Sequence, residues 1–544
     1  MIKSAGSPDM ILHNGIVWCG YAEGIRQAVA IGQGTVLATG SDEEILALKG
    51  AETDLIDLNG QFATPGLNDD HLHLISTGLS MQWVDASPES APTLAILLDK
   101  LRKRAQETPK GGWVLARGYD QVKLDVGRHP HKSELDQVTS CHPLMLVRAC
   151  GHISIFNSRA FELANVNAST PAPAGGVIET VNGTLTGMVA ENAQSVLRAA
   201  IPVPSQNDLI DAIERAGKYL LSYGITSCMD AAVGQVDGFA EIHAYNKAKK
   251  EGRLPVRVWL TLLGDPGNSV VDEAYAAGLV SGAGDDWLRV GAVKIFLDGS
   301  AGGRTAWMSQ PYLGEDNTGV QILSDDKLEK LVAEHHAQGY QLACHAIGDR
   351  AIGQLITAYE KALAAVPDAD RRHRIEHCGF STEAQHKRML AAGIYPCPQQ
   401  AFIYDFGDSY ISVLGEERAL SSYPLKTWVD LGFKPGTGSD SPVCLPNPFP
   451  NLYSMVTRKT WKGTVMDAGQ RVPMDKALQA YTEHGAFSQK AETIKGRIVA
   501  GQLADIAVFS RNLLDASPEE ILHDTQCILT IVAGEVVYDR STAA

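Results

Sequence analysis

The sequence lacks any uninterrupted run of about 18 apolar residues, and its first ten residues, MIKSAGSPDM, lack the apolar segment of a secretory signal. We therefore expect a cytoplasmic protein with no membrane partner. The nine cysteines are odd in number and contain no C-x-x-C pair. Such cysteines indicate reduced thiols rather than a disulfide framework or a zinc ribbon.

Basic residues are also scarce: the chain has 47 Lys and Arg against 63 Asp and Glu, which gives a net charge of −16. The densest basic clusters, RKR (102–104) and RRHR (371–374), are too short for a phosphate-binding patch. We expect no nucleic-acid partner. A length of 544 residues with 44% hydrophobic content predicts a large core and more than one domain. Oligomeric state is not readable, so a homo-oligomer stays open.

Short apolar runs that end in Gly or a polar turn recur along the chain, separated by segments of helical length. This pattern is typical of buried parallel strands whose carboxyl ends open into loops. Eight strands can be counted, the first ending at His71 and the others at 225–230, 256–263, 290–296, 340–346, 373–378, 393–398 and 433–440. Helices are expected at 324–338, 349–364, 381–392 and 416–431. The alternation predicts an α/β fold, a (β/α)8 TIM barrel, whose active sites lie at the carboxyl ends of the strands.

Candidate metal ligands lie where these strands end. His71 and His73 form a His-x-His pair, and side chains two residues apart on a strand point the same way. Two imidazoles suit Zn²⁺, Mn, Fe or Ni, although the pair alone could be solvated or core histidines. Later strands add Lys294, His345, His377 and Asp440. We expect the six residues to meet at one mouth of the barrel.

The rest of the chain predicts two further domains. Residues 1–64 and 491–544 contain short strands and turn residues, which predict a small β-sandwich built from both termini. Residues 65–80 and 205–490 would form the barrel. Residues 81–204 are too long for an ordinary connection between strands, so they predict an inserted α+β domain that forms a wall or lid of the pocket.

The order of these motifs resembles the amidohydrolase superfamily of metal-dependent hydrolases. The strings VKIFLDGSAGGRTA, HAIGDRA, RIEHC and GSDSPV are similar to its amidohydrolase-3 branch, which includes YtcJ-like proteins and N-substituted formamide deformylase. The resemblance spans nearly the whole chain. It implies a hydrolase that cleaves a carbon–nitrogen bond other than a peptide bond, with a small-molecule amide as substrate.

The resemblance also implies roles for the six residues. His71 and His73 would hold one divalent ion, most simply Zn²⁺, and His345 and His377 a second, with Asp440 on the first ion as general base and acid. An ammonium has no lone pair for a metal. The family's solution is a lysine carboxylated by CO₂, which would make Lys294 a bridging carbamate and the site binuclear. An ion pair of Lys294 with Asp298 or Glu376 is the alternative, and it would leave one ion.

Other activities stay open at this point. Deaminases of the same superfamily use one metal and resemble each other in having a Glu three residues after the strand-five His. Gly348 stands there in this sequence, which favours amide hydrolysis. A cyclic-amide hydrolase and a non-catalytic scaffold are further alternatives. Scaffold relatives tend to lose ligands, and all six positions are filled.

Several residues are candidates for substrate binding. His152 lies in the string GHISIFNS, which resembles a family context, although it could also be a structural histidine of the insert. Arg304 and Trp307 lie in the expected loop after strand four, and Phe402 and Tyr404 in the expected loop after strand seven. These aromatics favour an N-acyl or N-formyl amine with a hydrophobic substituent.

Overall fold

The centre of the protein, a computed structural model that describes residues 7–173 and 175–542, is a nearly closed parallel barrel. In the described part of the chain its sheet has seven strands, named barrel strands 1 to 7 in order: Leu67–Leu72, Ile225–Val233, Arg257–Leu263, Leu288–Lys294, Gln341–Ala346, Arg374–His377 and Tyr395–Cys397. Each pairs in parallel with its neighbours. Nearly all their residues are buried, as their apolar runs require.

The predicted eighth strand lies at the expected place in the barrel, but it is an irregular segment rather than a strand. Residues 433–440 form no strand, yet they lie along barrel strand 1. The Asp70 N–H donates to the Thr437 carbonyl (3.0 Å), and the Asp440 N–H donates to the His71 carbonyl (2.7 Å). The segment therefore occupies the eighth position of the barrel and carries Asp440 to the mouth.

Two glycines explain why this segment is irregular. A Cβ at Gly436 would lie 2.3 Å from Asp70 Oδ2, and one at Gly438 would lie 2.5 Å from the His71 nitrogen. Only glycine allows so close an approach. Pro435 lacks an N–H and cannot join a regular ladder.

Helices follow the strands. Gln206–Leu221 begins with a capping box, in which Ser205 and Asp208 satisfy each other's backbone N–H groups. Its buried face packs on the barrel. Other helices of this part are Leu74–Ser80, Ala240–Lys250, Val271–Ala276, Asp325–Ala337, Asp349–Ala365, Glu383–Ala392, Pro448–Thr457, Met474–Gln479 and Gly485–Ser488, with a 3₁₀ turn at Ala468–Gln470 and a π-helical turn at Ala480–His484.

Two expectations about helices need correction. The segment 402–410, predicted as a loop, belongs to the helix Ala401–Leu414, because Phe402, Phe406 and Tyr410 recur every four residues and bury one face. The predicted helix 416–431 is instead two, Glu416–Leu420 and Leu425–Asp430. Tyr423 precedes a proline and has a φ of 49°, which interrupts the helical backbone.

A separate sheet follows barrel strand 1 and is named the insert sheet. Its strands, in spatial order, are Gly176–Val181, Thr184–Glu191, Ile153–Phe156, Leu144–Arg148, Val114–Tyr119 and Val84–Asp85. The helices Leu94–Glu107, Lys132–Asp136, Ser158–Leu163 and Gln194–Arg198 accompany it. The sheet has its own apolar core around Leu97, Leu101 and Leu146.

Both ends of the chain supply two further sheets. One contains Met10–His13, Ala28–Gly32, Thr35–Gly40 and Asp54–Asp57, and the other contains Ile16–Trp18, Ile25–Arg26, Phe62–Pro65, Ile506–Phe509, Cys527–Val532 and Glu535–Asp539. The short helices Asp42–Leu46 and Pro518–His523 lie beside them in sequence. Buried side chains of the two sheets, such as Leu12 and Ile506, share one core.

All nine cysteines are free thiols, and Cys141 is exposed. Within residues 7–173 and 175–542, no helix combines the length and the apolar content needed to cross a bilayer.

Candidate active site

The six predicted ligands lie together at the carboxyl end of the barrel. His71 and His73 stand at the end of barrel strand 1, Lys294 ends barrel strand 4, and His377 ends barrel strand 6. His345 lies near the end of barrel strand 5. All are buried except His73, which is half-buried.

The first group of contacts joins the His-x-His pair to Asp440. Asp440 Oδ1 lies 3.4 Å from His71 Nε2 and 3.1 Å from His73 Nε2. The same oxygen is buried without a hydrogen-bond partner among the described residues. Three ligand atoms of a kind that Zn²⁺ prefers therefore face one another across a gap of ionic size.

The second group consists of the histidines of barrel strands 5 and 6. The His345 and His377 rings lie 4.5 Å apart between centroids. His345 Nε2 donates to the Gly299 carbonyl at 3.2 Å, and His377 Nδ1 donates to Gln399 Oε1 at 2.6 Å. These bonds leave Nδ1 of His345 and Nε2 of His377 as the nitrogens available to a ligand. Because burial lowers the pKa of both imidazoles, both are neutral and carry a lone pair.

Lys294 lies beside the first group, with Nζ 3.5 Å from His71 Nε2, and its charge also acts on His345 and His377. The expected alternative, an ion pair with Asp298 or Glu376, is not formed among residues 7–173 and 175–542. Asp298 instead accepts the backbone N–H groups of Ile347 (3.0 Å) and Gly348 (2.8 Å). Burial lowers the pKa of Lys294.

Glu376 accepts a hydrogen bond from His71 Nδ1, the ring nitrogen that points away from Asp440, and the sequence does not reveal this role. Arg374 donates to it through Nε (2.7 Å) and Nη2 (3.0 Å), and His71 donates from Nδ1. Although burial alone would raise it, the pKa of Glu376 lies far below its usual range because of Arg374 and His71. A carboxylate on one ring nitrogen fixes the tautomer, so His71 Nε2 presents its lone pair towards Asp440 and Lys294.

This contact yields a first prediction. Glu376→Gln should weaken metal binding by about 10- to 100-fold, because the amide no longer orients and polarises the imidazole. Competition with a chromogenic chelator measures it. Glu383→Gln, on an exposed side chain of helix Glu383–Ala392, is the matched control. Equal affinities in the wild type and both variants would contradict the role given to Glu376.

A small cavity opens beside these residues. His345, His377 and Asp440 form its reactive end. Its apolar walls are Ile347, Phe402, Phe406, Tyr410 and Val443. The predicted loop after barrel strand 4 contributes Ser300, Ala301 and Gly302, and the insert contributes Arg148, Cys150 and His152.

The predicted substrate residues separate into two sets. His152 and Phe402 line the cavity: the His152 ring lies 5.5 Å from that of His345, and Phe402 stacks on His377. Arg304, Trp307 and Tyr404 do not line it.

These three side chains have other partners. Arg304 pairs with Glu315, Trp307 lies under the Arg350 guanidinium, and Tyr404 packs on Tyr453. The structure thus gives no support for placing them at the substrate.

Comparison with known proteins agrees with this architecture. The sequence pattern of the amidohydrolase family matches residues 54–538. The chain is 30% identical to the protein YtcJ of Bacillus subtilis (strain 168) over 539 residues, which is 98% of this chain and 99% of YtcJ. It is 28% identical to the N-substituted formamide deformylase of Arthrobacter pascens over 95% of each chain.

A solved structure gives the same result. The crystal structure of an uncharacterized metal-dependent hydrolase from Pyrococcus horikoshii OT3 is 26% identical, with a TM-score of 0.75, and the match covers 94% of this chain and 99% of that one. The chain therefore belongs to the amidohydrolase family, and it is a hydrolase that acts on carbon–nitrogen bonds.

Proposed function

We propose that the protein is a metal-dependent hydrolase of N-acyl or N-formyl amines that carry a hydrophobic substituent. The observation that carries this proposal is the convergence of four histidines, Lys294 and Asp440 at the carboxyl end of the barrel. His345, His377 and Asp440 of this set also line the neighbouring cavity. The names of relatives, a formamide deformylase and a metal-dependent hydrolase, support the same chemistry.

Zn²⁺ is the ion we propose, with Mn, Fe or Ni as substitutes, and the donor set fits it. His71, His73 and Asp440 would hold one ion, and His345 and His377 a second. Bound there, a divalent ion activates water and polarises a carbonyl oxygen. Asp440 Oδ1 is buried and has no hydrogen-bond partner among the described residues, and a bound cation would satisfy it.

Lys294 would bridge the two groups as a carbamate. The neutral amine Nζ attacks the carbon of CO₂ and loses a proton to water, which leaves a carbamate whose two oxygens share one negative charge. Lys294 is buried, has a lowered pKa and forms no ion pair with a carboxylate of the described residues, which suits it to this reaction because the free base is the nucleophile.

Asp440 would move the proton. Its carboxylate takes a proton from the attacking water and hands it to the leaving nitrogen, which gives a carboxylic acid and an amine. Interactions with His71 and His73 hold the pKa of Asp440 well below its usual value despite burial, so the group is ionised.

His152 would stabilise the developing oxyanion from the insert side. Its Nδ1 donates to Glu191 Oε2 at 2.8 Å, which fixes the ring. The insert, expected at 81–204, thus supplies a wall that excludes water from the reacting bond.

This role gives a second prediction. Burial lowers the pKa of His152, but Glu191 outweighs burial and raises it to about 9. The imidazolium therefore persists up to that pH, and kcat/KM should fall as pH rises through about 9. In His152→Gln, which has a neutral donor, this alkaline limb should disappear without loss of metal. The exposed His131→Gln is the control. An unchanged pH profile in His152→Gln would return His152 to a structural role.

The activity is tested by a substrate panel. The metal-loaded enzyme is assayed for amine release from the N-formyl and N-acetyl amides of one aromatic amine, for opening of a cyclic amide and for ammonia release from an aminated ring. We expect release from the N-formyl or N-acetyl compounds. Release of ammonia from an aminated ring instead would identify a deaminase, and opening of only the cyclic amide would identify a cyclic-amide hydrolase.

A further inference from the structure

We propose that the cavity contains an anion subsite at Arg148, and that the natural substrate is an amide that also carries a carboxylate. This inference deepens the proposed function and rests on it. It follows from Arg148 and Cys150, two residues of the insert that line the cavity and that the reaction described above does not use.

Arg148 ends the insert strand Leu144–Arg148, lines the cavity and is only 1% exposed. Its Nε donates to Gln121 Oε1 at 2.6 Å, and its Nη2 donates to Asp120 Oδ2 at 3.3 Å. Neither bond uses Nη1. The Cys150 thiol also interacts with this guanidinium. Because arginine has five N–H donors, these three partners leave donors for a further acceptor.

Gly302 gives access to these donors. A Cβ at this position would lie 3.3 Å from Arg148 Nη2 and 3.7 Å from Nη1. It would also lie 3.3 Å from Ser409 Oγ, a buried hydroxyl with no hydrogen-bond partner among the described residues. A guanidinium edge and an unused hydroxyl therefore meet beside a glycine that lines the cavity. A planar carboxylate can accept from both.

The pKa of Cys150 indicates that the electrostatic potential beside Arg148 is positive. Burial raises the pKa of a thiol, and it does so at the seven other buried cysteines: Cys19, Cys228, Cys344, Cys378, Cys397, Cys444 and Cys527. At Cys150, Arg148 and then His152 outweigh burial and lower the pKa. An anion is therefore stabilised at the wall, although Asp120 and Glu191 are nearby.

The other residues that line the cavity indicate which group connects the amide of the substrate to its carboxylate. Phe406 and Tyr410 line the cavity together with Arg148, while Asp440 lines the reactive end. A fitting substrate has a scissile amide, an apolar or aromatic group and a carboxylate. An N-acylated apolar amino acid has all three.

A matched pair of substrates tests the subsite. N-acetylphenylalanine and N-(2-phenylethyl)acetamide share the amide and the ring and differ by one carboxylate. With metal-loaded enzyme, kcat/KM should be about 10-fold or more higher for the carboxylate compound, as a buried charge-assisted hydrogen bond implies. Arg148→Gln should bring the ratio close to one. Arg159→Gln, on an exposed arginine of the insert, should keep it.

A binding measurement separates this proposal from the proposed function. Calorimetry with 3-phenylpropanoate and 3-phenylpropanamide should show a preference for the acid that Arg148→Gln abolishes. Gly302→Ala, whose added Cβ would lie 3.3 Å from Arg148 Nη2, should weaken this preference as well. It is the second variant if Arg148→Gln does not fold. An Arg148-dependent preference in an enzyme that cleaves no amide would uphold the subsite and reject the hydrolysis. A preference unchanged in both variants, or no preference, would overturn the subsite.

Discussion

Asp440→Asn should lower kcat by about 10²-fold or more while KM changes little, because the variant removes a proton acceptor and leaves the cavity intact. Asparagine is the appropriate replacement. It has nearly the same size and keeps an oxygen towards His71 and His73. It also tolerates the left-handed backbone at this position, where φ is 57°, whereas most residues do not.

Metal content must be measured with the kinetics. Asp430→Asn, an exposed aspartate in helix Leu425–Asp430, controls for the change of charge. A variant that keeps its metal and loses kcat confirms the proton transfer. A variant that loses metal in proportion to activity, and recovers when metal is added, would make Asp440 a ligand without a proton-transfer role.

Lys294→Ala should lose activity and at least one metal ion, because it removes the nitrogen on which the bridging carbamate forms. Short carboxylic acids should restore part of both, since a free carboxylate can take the place of the missing group. Intact mass of the wild type under CO₂ should show the mass of one added carboxylate.

Lys294→Met separates chemistry from packing. Lys294 is fully buried, so alanine leaves a cavity, which by itself destabilises a protein. Methionine fills most of that space and offers no amine. Equal losses in both variants, with rescue only by carboxylic acids, support the carbamate. Full activity in Lys294→Met would leave a mononuclear site.

The sequence predicts the barrel and the position of the six candidate residues at its mouth, because both depend on local pattern. A buried strand needs an apolar run, and the polar residue where the run stops lies at the barrel mouth, as at His345 and His377. The eighth strand is wrong as a prediction for a local reason. Gly436 and Gly438 let the backbone approach Asp70 and His71 closely, which a regular strand ladder does not require. The sequence does not predict the helix Ala401–Leu414, because Gly407 and Asp408 in its middle are typical of a turn.

Contacts between distant segments were not predictable in the same way. Glu376 meets His71 across 305 positions of sequence. Arg148 faces Gly302 from an insert whose orientation no periodicity encodes. The sequence predicts Trp307 and Tyr404 at the substrate because they follow strands four and seven, but in the structure they pack against Arg350 and Tyr453 instead. One usable signal existed, the string RACGHIS, which places a cation, a thiol and an imidazole on one short stretch of the insert.

The most direct test of this account is the metal content of the purified protein, measured by elemental analysis together with its amidase activity. The account predicts about two divalent ions per chain, as in other two-metal hydrolytic sites, and activity that chelation removes and Zn²⁺ restores. Metal-free protein that hydrolyses the same amides at the full rate would contradict it.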